Sequence, residues 1–231
     1  MRLILEDIKK SFGNKQVLKG AGFTFDKGRL YALLGRNGAG KTTLFNCISG
    51  NLEFEGGSIT LEGPEGILED QVGFVYTEPL LPEFLTGDEF LKFFISANNK
   101  RIENPRSINE YFNLIKFEKD DRHRLIKGYS HGMKNKIQLL TVLITRPPVI
   151  LLDEPLTSFD VVVAQEIKRL LKTIKSEHII IFSTHVLELA VDLCDHIVML
   201  HNGGLKEIRP GLLNRPEFEK KITLMLSERE E

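Results

Sequence analysis

The chain has 231 residues, 42% of them apolar and 27% charged, with a net charge of −1. That is an ordinary globular composition, long enough to bury a core as one large domain or two small ones, and its balanced charge, without a polybasic run, argues against nucleic acid or anionic lipid as a partner. No apolar run approaches 18 residues, so nothing is expected to span a membrane and any membrane role must come through a partner. The opening Met1-Arg2-Leu3-Ile4-Leu5 is cut off by Glu6 and Asp7, too early for a signal-peptide core. Cys47 and Cys194 form no CxxC pair and are expected as buried packing residues in a reduced compartment.

In chain order, residues 2–8 alternate loosely and read as a strand, and Ser11-Phe12-Gly13-Asn14 reads as a turn. Phe12, on that turn, reads by itself as a small hydrophobic plug. Val17-Leu18 and Phe23-Thr24-Phe25 suggest further strands, and Asp26-Lys27-Gly28 a turn. The apolar Leu30-Tyr31-Ala32-Leu33-Leu34 reads as a buried parallel strand. It runs into Gly35-Arg36-Asn37-Gly38-Ala39-Gly40-Lys41-Thr42-Thr43, which matches G-x-x-x-x-G-K-[ST], the phosphate-binding P-loop. Leu44, Cys47 and Ile48 then open a helix at i, i+3, i+4.

The motif thus has the strand-to-helix context its chemistry requires. Glycines let the backbone fold tightly, so that consecutive N–H groups point at polyphosphate oxygens, and the positive end of the helix adds to that field. Lys41 would reach the β- and γ-phosphates, and Thr42 would place its hydroxyl on Mg²⁺. A chance match in a chain of this composition is on the order of one per cent. Nucleotide binding is therefore the base reading.

Gly56 to Leu61 and Val72 to Val75 read as strands. Thr86-Gly87-Asp88-Glu89 is a T-x-x-E capping box followed by Phe90, Phe94 and Ile95 on helical spacing. A second helix is expected from Ile108 to Ile115, and a third from Ser130, with Met133, Ile137, Leu140 and Ile144 on one face, ending before Pro147-Pro148. Residues 86–146 thus read as helical, inserted into an α/β chain. Val149-Ile150-Leu151-Leu152 is a buried strand ending in Asp153-Glu154-Pro155, and Asp160 can cap a helix carrying Val163, Ile167, Leu170, Leu171 and Ile174. A strand over His178 to Phe182, then Ser183-Thr184-His185, a helix from Val186 to Cys194, and strands near Ile197–Leu200 and Leu205–Ile208 complete the pattern. The last 20 residues are charged around a short apolar stretch.

Parallel strands deliver functional groups at their carboxyl ends. Asp153 can therefore meet the Mg²⁺ that Thr42 holds, and Glu154, one residue on, can polarise a water for attack on the γ-phosphate. His185, at another strand end, is within reach of the same phosphate. The remaining histidines, His123, His131, His178, His196 and His201, lack metal-ligand spacing and read as surface or packing residues.

With these motifs in place, residues 2–210 resemble the ATP-binding-cassette ATPases. The family's order is P-loop, helical insertion, signature, Walker B strand, D-loop and switch histidine. Here these correspond to residues 35–43, 86–146, Tyr129-Ser130-His131-Gly132-Met133, Val149 to Glu154, Leu156-Thr157-Ser158-Phe159-Asp160, and Ser183-Thr184-His185. The resemblance implies a P-loop NTPase (RecA-like) α/β core with an N-terminal antiparallel β subdomain and an inserted all-helical subdomain. It divides a single domain into core (residues 1–85 and 147–210), helical part (86–146) and charged tail (211–231). It places Phe12 at the adenine-stacking aromatic, with Val17 a further nucleotide contact. It also implies that Ser130, His131, Gly132, Met133 and Asp160 meet the ATP bound by a second subunit. From the residues alone, Ser130 and Asp160 are equally good N-caps.

Three departures stand out. Where the family places a Mg²⁺- and water-contacting glutamine, this chain has Thr77 followed by Glu78, and a water bridging Thr77 to the ion is the favoured reading. His131 replaces the signature's first glycine and Met133 its glutamine, and Ser158-Phe159 replaces Gly-Leu before Asp160. The Y-S-x-G-M spelling looks like exporter-type bacterial cassettes. The expectation is an ATPase, using ATP and Mg²⁺, that pairs with itself or a paralogue. It would sit in the cytoplasm against the inner face of the membrane through a transporter subunit docked near residues 77–100. The rival is a soluble or regulatory cassette with weak hydrolysis, uncoupled from transport.

Overall fold

A computed structural model describes residues 1–102, 104–156, 161–208 and Ile222. Strands β1 (Arg2–Phe12) and β2 (Lys15–Asp26) form one long antiparallel hairpin around Gly13 and Asn14. The Val17-Leu18 and Phe23–Phe25 segments, separate in the sequence pattern, are thus one strand. Register shifts near Ile8 and between Lys10 and Ser11 interrupt the two-residue alternation without ending the ladder. Strand β4 (Gly56–Glu62) pairs with the other edge of β1, giving a three-stranded sheet in the order β2-β1-β4.

The larger sheet has six strands. Besides β3 (Leu30–Leu34) it contains β5 (Val72–Val75), β6 (Val149–Leu152), β7 (Ile179–Thr184), β8 (His196–His201) and β9 (Gly204–Ile208). Their order is β5-β6-β7-β3-β8-β9, parallel throughout except for β9 against β8. Strands β3, β6 and β7 are covered on both faces, which is why they read as apolar runs rather than as an alternation, up to the hydroxyls that end β7. Leu30, Ala32, Ile150, Leu152, Ile180 and Phe182 face helices α5 (Val161–Ile174) and α6 (Leu187–Leu193). Their alternate neighbours Tyr31, Leu33, Leu151 and Ile181 face α1 (Lys41–Ile48) and the hairpin. Truncating any of these leucines to alanine would cost about 2–5 kcal/mol, so the strand ends that carry the polar site are held in a rigid frame.

The inserted segment holds α2 (Gly87–Ala97), α3 (Ile108–Leu114) and α4 (His131–Thr145). The Thr86/Glu89 capping box forms as the sequence predicts, and Ser107 with Glu110 forms a second at the start of α3. Phe90, Leu91, Phe112, Ile126, Ile137 and Leu140 build a hydrophobic cluster of their own. Helix α4 joins the two parts: Ile137 and Leu140 face that cluster, while Leu139 and Val142 pack on the large sheet. The carboxyl ends of β3, β6 and β7 open at one edge of this frame, the place where parallel sheets position ligands.

Candidate active site

The P-loop leaves β3 with the Gly35 N–H donating to the Thr184 carbonyl at 3.1 Å, which ties it to the end of β7. Arg36 is half-buried, Asn37 and Gly38 are exposed, and Ala39 is buried. Gly40 caps α1 in the left-handed region, φ 101°. A Cβ there would stand 2.6 Å from Val17 Cγ1, so the position requires glycine on two counts. Val17 thus touches the phosphate loop from the hairpin side. Lys41 is buried, its ammonium donating to the Gly35 carbonyl at 2.7 Å and the Arg36 carbonyl at 3.1 Å, with Glu154 Oε1 at 3.4 Å. Burial pushes its pKa below the usual lysine value, and Glu154 and Asp153 oppose that shift. Thr43, half-buried on the first turn of α1, completes the motif.

Asp153, at the end of β6, is 3% exposed and its two oxygens are both occupied. The Thr42 hydroxyl donates to Oδ2 at 2.7 Å, and the Ser183 hydroxyl to Oδ1 at 2.5 Å. The Ser183 oxygen in turn accepts from the Glu154 N–H at 2.9 Å. Glu154 takes φ 49°, unusual for a residue with a side chain, and this turns its carboxylate back toward Lys41 and toward His185 Nδ1, 3.1 Å away. The P-loop, Asp153, Glu154 and His185 are therefore one contiguous cluster. Among the described residues no three His, Cys, Asp or Glu side chains gather as a metal cage. Mg²⁺ needs none, because it takes one or two protein oxygens and completes its shell with water and phosphate. The hard oxygens of Thr42 and Asp153, side by side, fit that ion.

The Thr77 hydroxyl donates to the Asp153 main-chain carbonyl at 3.2 Å, so it adjoins the carboxylate through the backbone. The Glu78 side chain is 86% exposed and lies 3.8 Å from His131 Nδ1. Ser130 caps α4 by accepting from the Met133 N–H at 3.2 Å. Ser130, His131, Gly132 and Met133 line a groove of about 500 Å³ with Lys116 and Phe117. They engage Glu78 and the helical cluster rather than Lys41 or Asp153. Phe12 stands at the tip of the hairpin, 52% exposed, which rules out the plug. Thr157, Ser158, Phe159 and Asp160 lie outside the described residues.

Two residues escaped the sequence reading. Ser183 bridges both carboxylate-bearing positions, and its signal was a hydroxyl following the apolar run Ile179 to Phe182. Gln138 of α4, with its amide turned to match, pairs with the main chain of Tyr76 at 3.2 and 2.8 Å, immediately before Thr77. Its signal was a polar residue between Ile137 and Leu139, off the stripe of Met133, Ile137, Leu140 and Ile144.

A family model described as "ABC transporter" matches residues 18–157. The Bacillus subtilis (strain 168) protein YxlF, named an uncharacterized ABC transporter ATP-binding protein, is 32% identical over 205 residues, 88% of this chain and 69% of that one. The lantibiotic transport ATP-binding protein SrtF of Streptococcus pyogenes is 30% identical over 206 residues, 88% of each chain. A solved structure described as the ATP binding subunit of an ABC transporter superposes with a TM-score of 0.82 over 99% of this chain and 100% of its own, at 24% identity, which shows the shared fold.

Proposed function

The chain belongs to the ABC transporter family of ATP-binding proteins, and from that premise we propose that two such subunits enclose two ATP molecules and drive a membrane partner. As a member of that family it binds ATP and is an ATPase of the kind that powers transport. The observation that carries the hydrolytic part of this reading is the shared network of Thr42, Asp153, Ser183, Glu154 and His185 beside a buried Lys41.

The P-loop amides and Lys41 receive the β- and γ-phosphates, and the Lys41 ammonium exchanges the Gly35 and Arg36 carbonyls for phosphate oxygens. That exchange also loosens the Lys41–Glu154 pair. The Glu154 carboxylate then accepts a proton from the attacking water, and His185, beside it, donates toward the γ-phosphate. Thr42 and Asp153 would hold Mg²⁺, which, when bound, supplies positive charge against the phosphate oxygens. In this reading Ser130, His131, Gly132 and Met133, with Asp160, belong to the site of the other subunit. The hydroxyl and amides at the start of the 15-residue helix α4 support that role.

Among the described residues no helix is long and apolar enough to cross a membrane. Leu80, Phe84 and Phe93 are 73%, 78% and 65% exposed on and after the loop that begins at Thr77, a surface suited to a membrane subunit's helices. The chain would then sit at the inner face of the membrane through that partner. The test is turnover per subunit against protein concentration. The sandwich predicts a rise from nanomolar to tens of micromolar, and a flat rate in a confirmed monomer would remove it. Copurification of the tagged chain with an integral-membrane subunit tests the coupling.

A further inference from the structure

The hairpin tip carries a cluster that the P-loop chemistry does not use. Lys10 and Phe12 are two apart on β1, across the register shift between Lys10 and Ser11, and their side chains meet there. The Lys10 ammonium stands 5.5 Å from the centroid of the Phe12 ring. The Lys10 side chain is only 14% exposed, and Glu55 Oε1 holds it at 2.9 Å. The second oxygen of Glu55 accepts the Ser11 N–H at 2.8 Å, so one carboxylate fixes both the cation and the backbone that joins it to the ring. Glu55 is itself anchored, its N–H donating to the Lys9 carbonyl at 2.8 Å. The Lys10 bond and the Ser11 N–H hold the Glu55 carboxyl below the usual range.

We infer that Lys10, clamped by Glu55, is a positioning residue that sets the Phe12 ring and polarises it for an incoming purine. The inference rests on the reading of Phe12 as the adenine platform. A cation over one face of an aromatic ring is attracted by its quadrupole and held there when partly desolvated. It occupies that face, leaves the opposite one for the base, and draws electron density toward itself. The remaining face becomes a better surface for an electron-rich purine, which stacks through its own π-face. The tip of a hairpin is otherwise poorly constrained, and the Glu55 clamp supplies the constraint.

The test measures ATP and inorganic tripolyphosphate affinities of the full chain with Lys10→Met, Lys10→Arg, Glu55→Gln and Phe12→Ala, with melting temperatures recorded for each. Lys10→Met is expected to weaken ATP about three- to tenfold and leave tripolyphosphate, which has no base, unchanged. Lys10→Arg should restore affinity, Glu55→Gln should fall between, and Lys10→Met should add nothing in a Phe12→Ala background. An equal loss for tripolyphosphate would overturn the inference, since Lys10 would then act on the phosphates or the fold. If Phe12→Ala weakens ATP while Lys10→Met does not, the clamp is wrong and the platform stands. If Phe12→Ala binds ATP like the parent chain, both fall together.

Discussion

The Thr42 hydroxyl and the Asp153 carboxylate, 111 residues apart in the chain, meet at 2.7 Å. The carboxylate's other oxygen is taken by Ser183, so Asp153 is aimed from both sides and cannot rotate away from the phosphate loop. Two hydroxyl donors, one on each oxygen, fix the direction of the buried carboxylate.

Asp153→Asn keeps that shape and removes the anion. Hydrolysis should fall by about a hundredfold or more, and the Mg²⁺ concentration for half-maximal rate should rise at least about tenfold. ATP binding in EDTA should change little. The checks are a Mg²⁺ titration of steady-state hydrolysis and equilibrium binding without metal. A variant with the parent Mg²⁺ requirement would take Asp153 out of the metal site.

Glu154→Gln removes the proton acceptor while preserving size. Hydrolysis should drop about 10²- to 10⁴-fold with ATP binding retained and an ATP-bound dimer that lasts longer on size exclusion. Lys41→Ala should behave in the opposite way and lose binding, because it deletes the ammonium that meets the phosphates. Parent-like hydrolysis by Glu154→Gln would refute the catalytic assignment.

Thr77 is hydrogen-bonded to the Asp153 carbonyl, while the Glu78 carboxylate points toward His131 and solvent. A water between the Thr77 hydroxyl and the ion is consistent with that placement, and Pro79 restricts residue 78 to extended backbone. Thr77→Gln should therefore keep or raise basal hydrolysis, and Glu78→Ala should leave the Mg²⁺ dependence as it is. A sharply raised Mg²⁺ requirement in Glu78→Ala, with no effect in Thr77→Ala, would make the glutamate the ligand instead.

His178 is 4% exposed, with Nδ1 2.7 Å from the Pro147 carbonyl, and burial pushes its pKa below the usual 6.5. The folded state therefore resists protonation that the unfolded chain accepts. Between about pH 6.5 and the lowered folded value the unfolded state binds more protons, so stability is full above that window and falls as pH drops through it. His178→Asn, which keeps a donor for the carbonyl, should flatten the decline of melting temperature as pH falls below about 6.5. A slope unchanged by the substitution would assign the acid sensitivity elsewhere.

Local sequence determined the elements whose signals are local. The P-loop between an aliphatic strand and a helix, the Thr86 capping box, the span of α4 and the buried strand ending in Asp153 follow from backbone conformation, periodicity and capping within a few residues. The order of the motifs then predicted the family fold that the superposition shows. Tertiary structure alone decided the hydrogen bonds that Ser183, Glu55 and Gln138 make with distant residues. Ser183 reaches Asp153 from 30 residues away, and Glu55 reaches Lys10 from 45. Gln138 clamps Tyr76 across the gap between helix and strand. The hairpin also hid its length, since its register shifts break the alternation by which a strand is read. Such contacts depend on where strands stop and how helices lie across the sheet. Side-chain periodicity fixes a residue's face but not its neighbour, and the neighbour sets the chemistry.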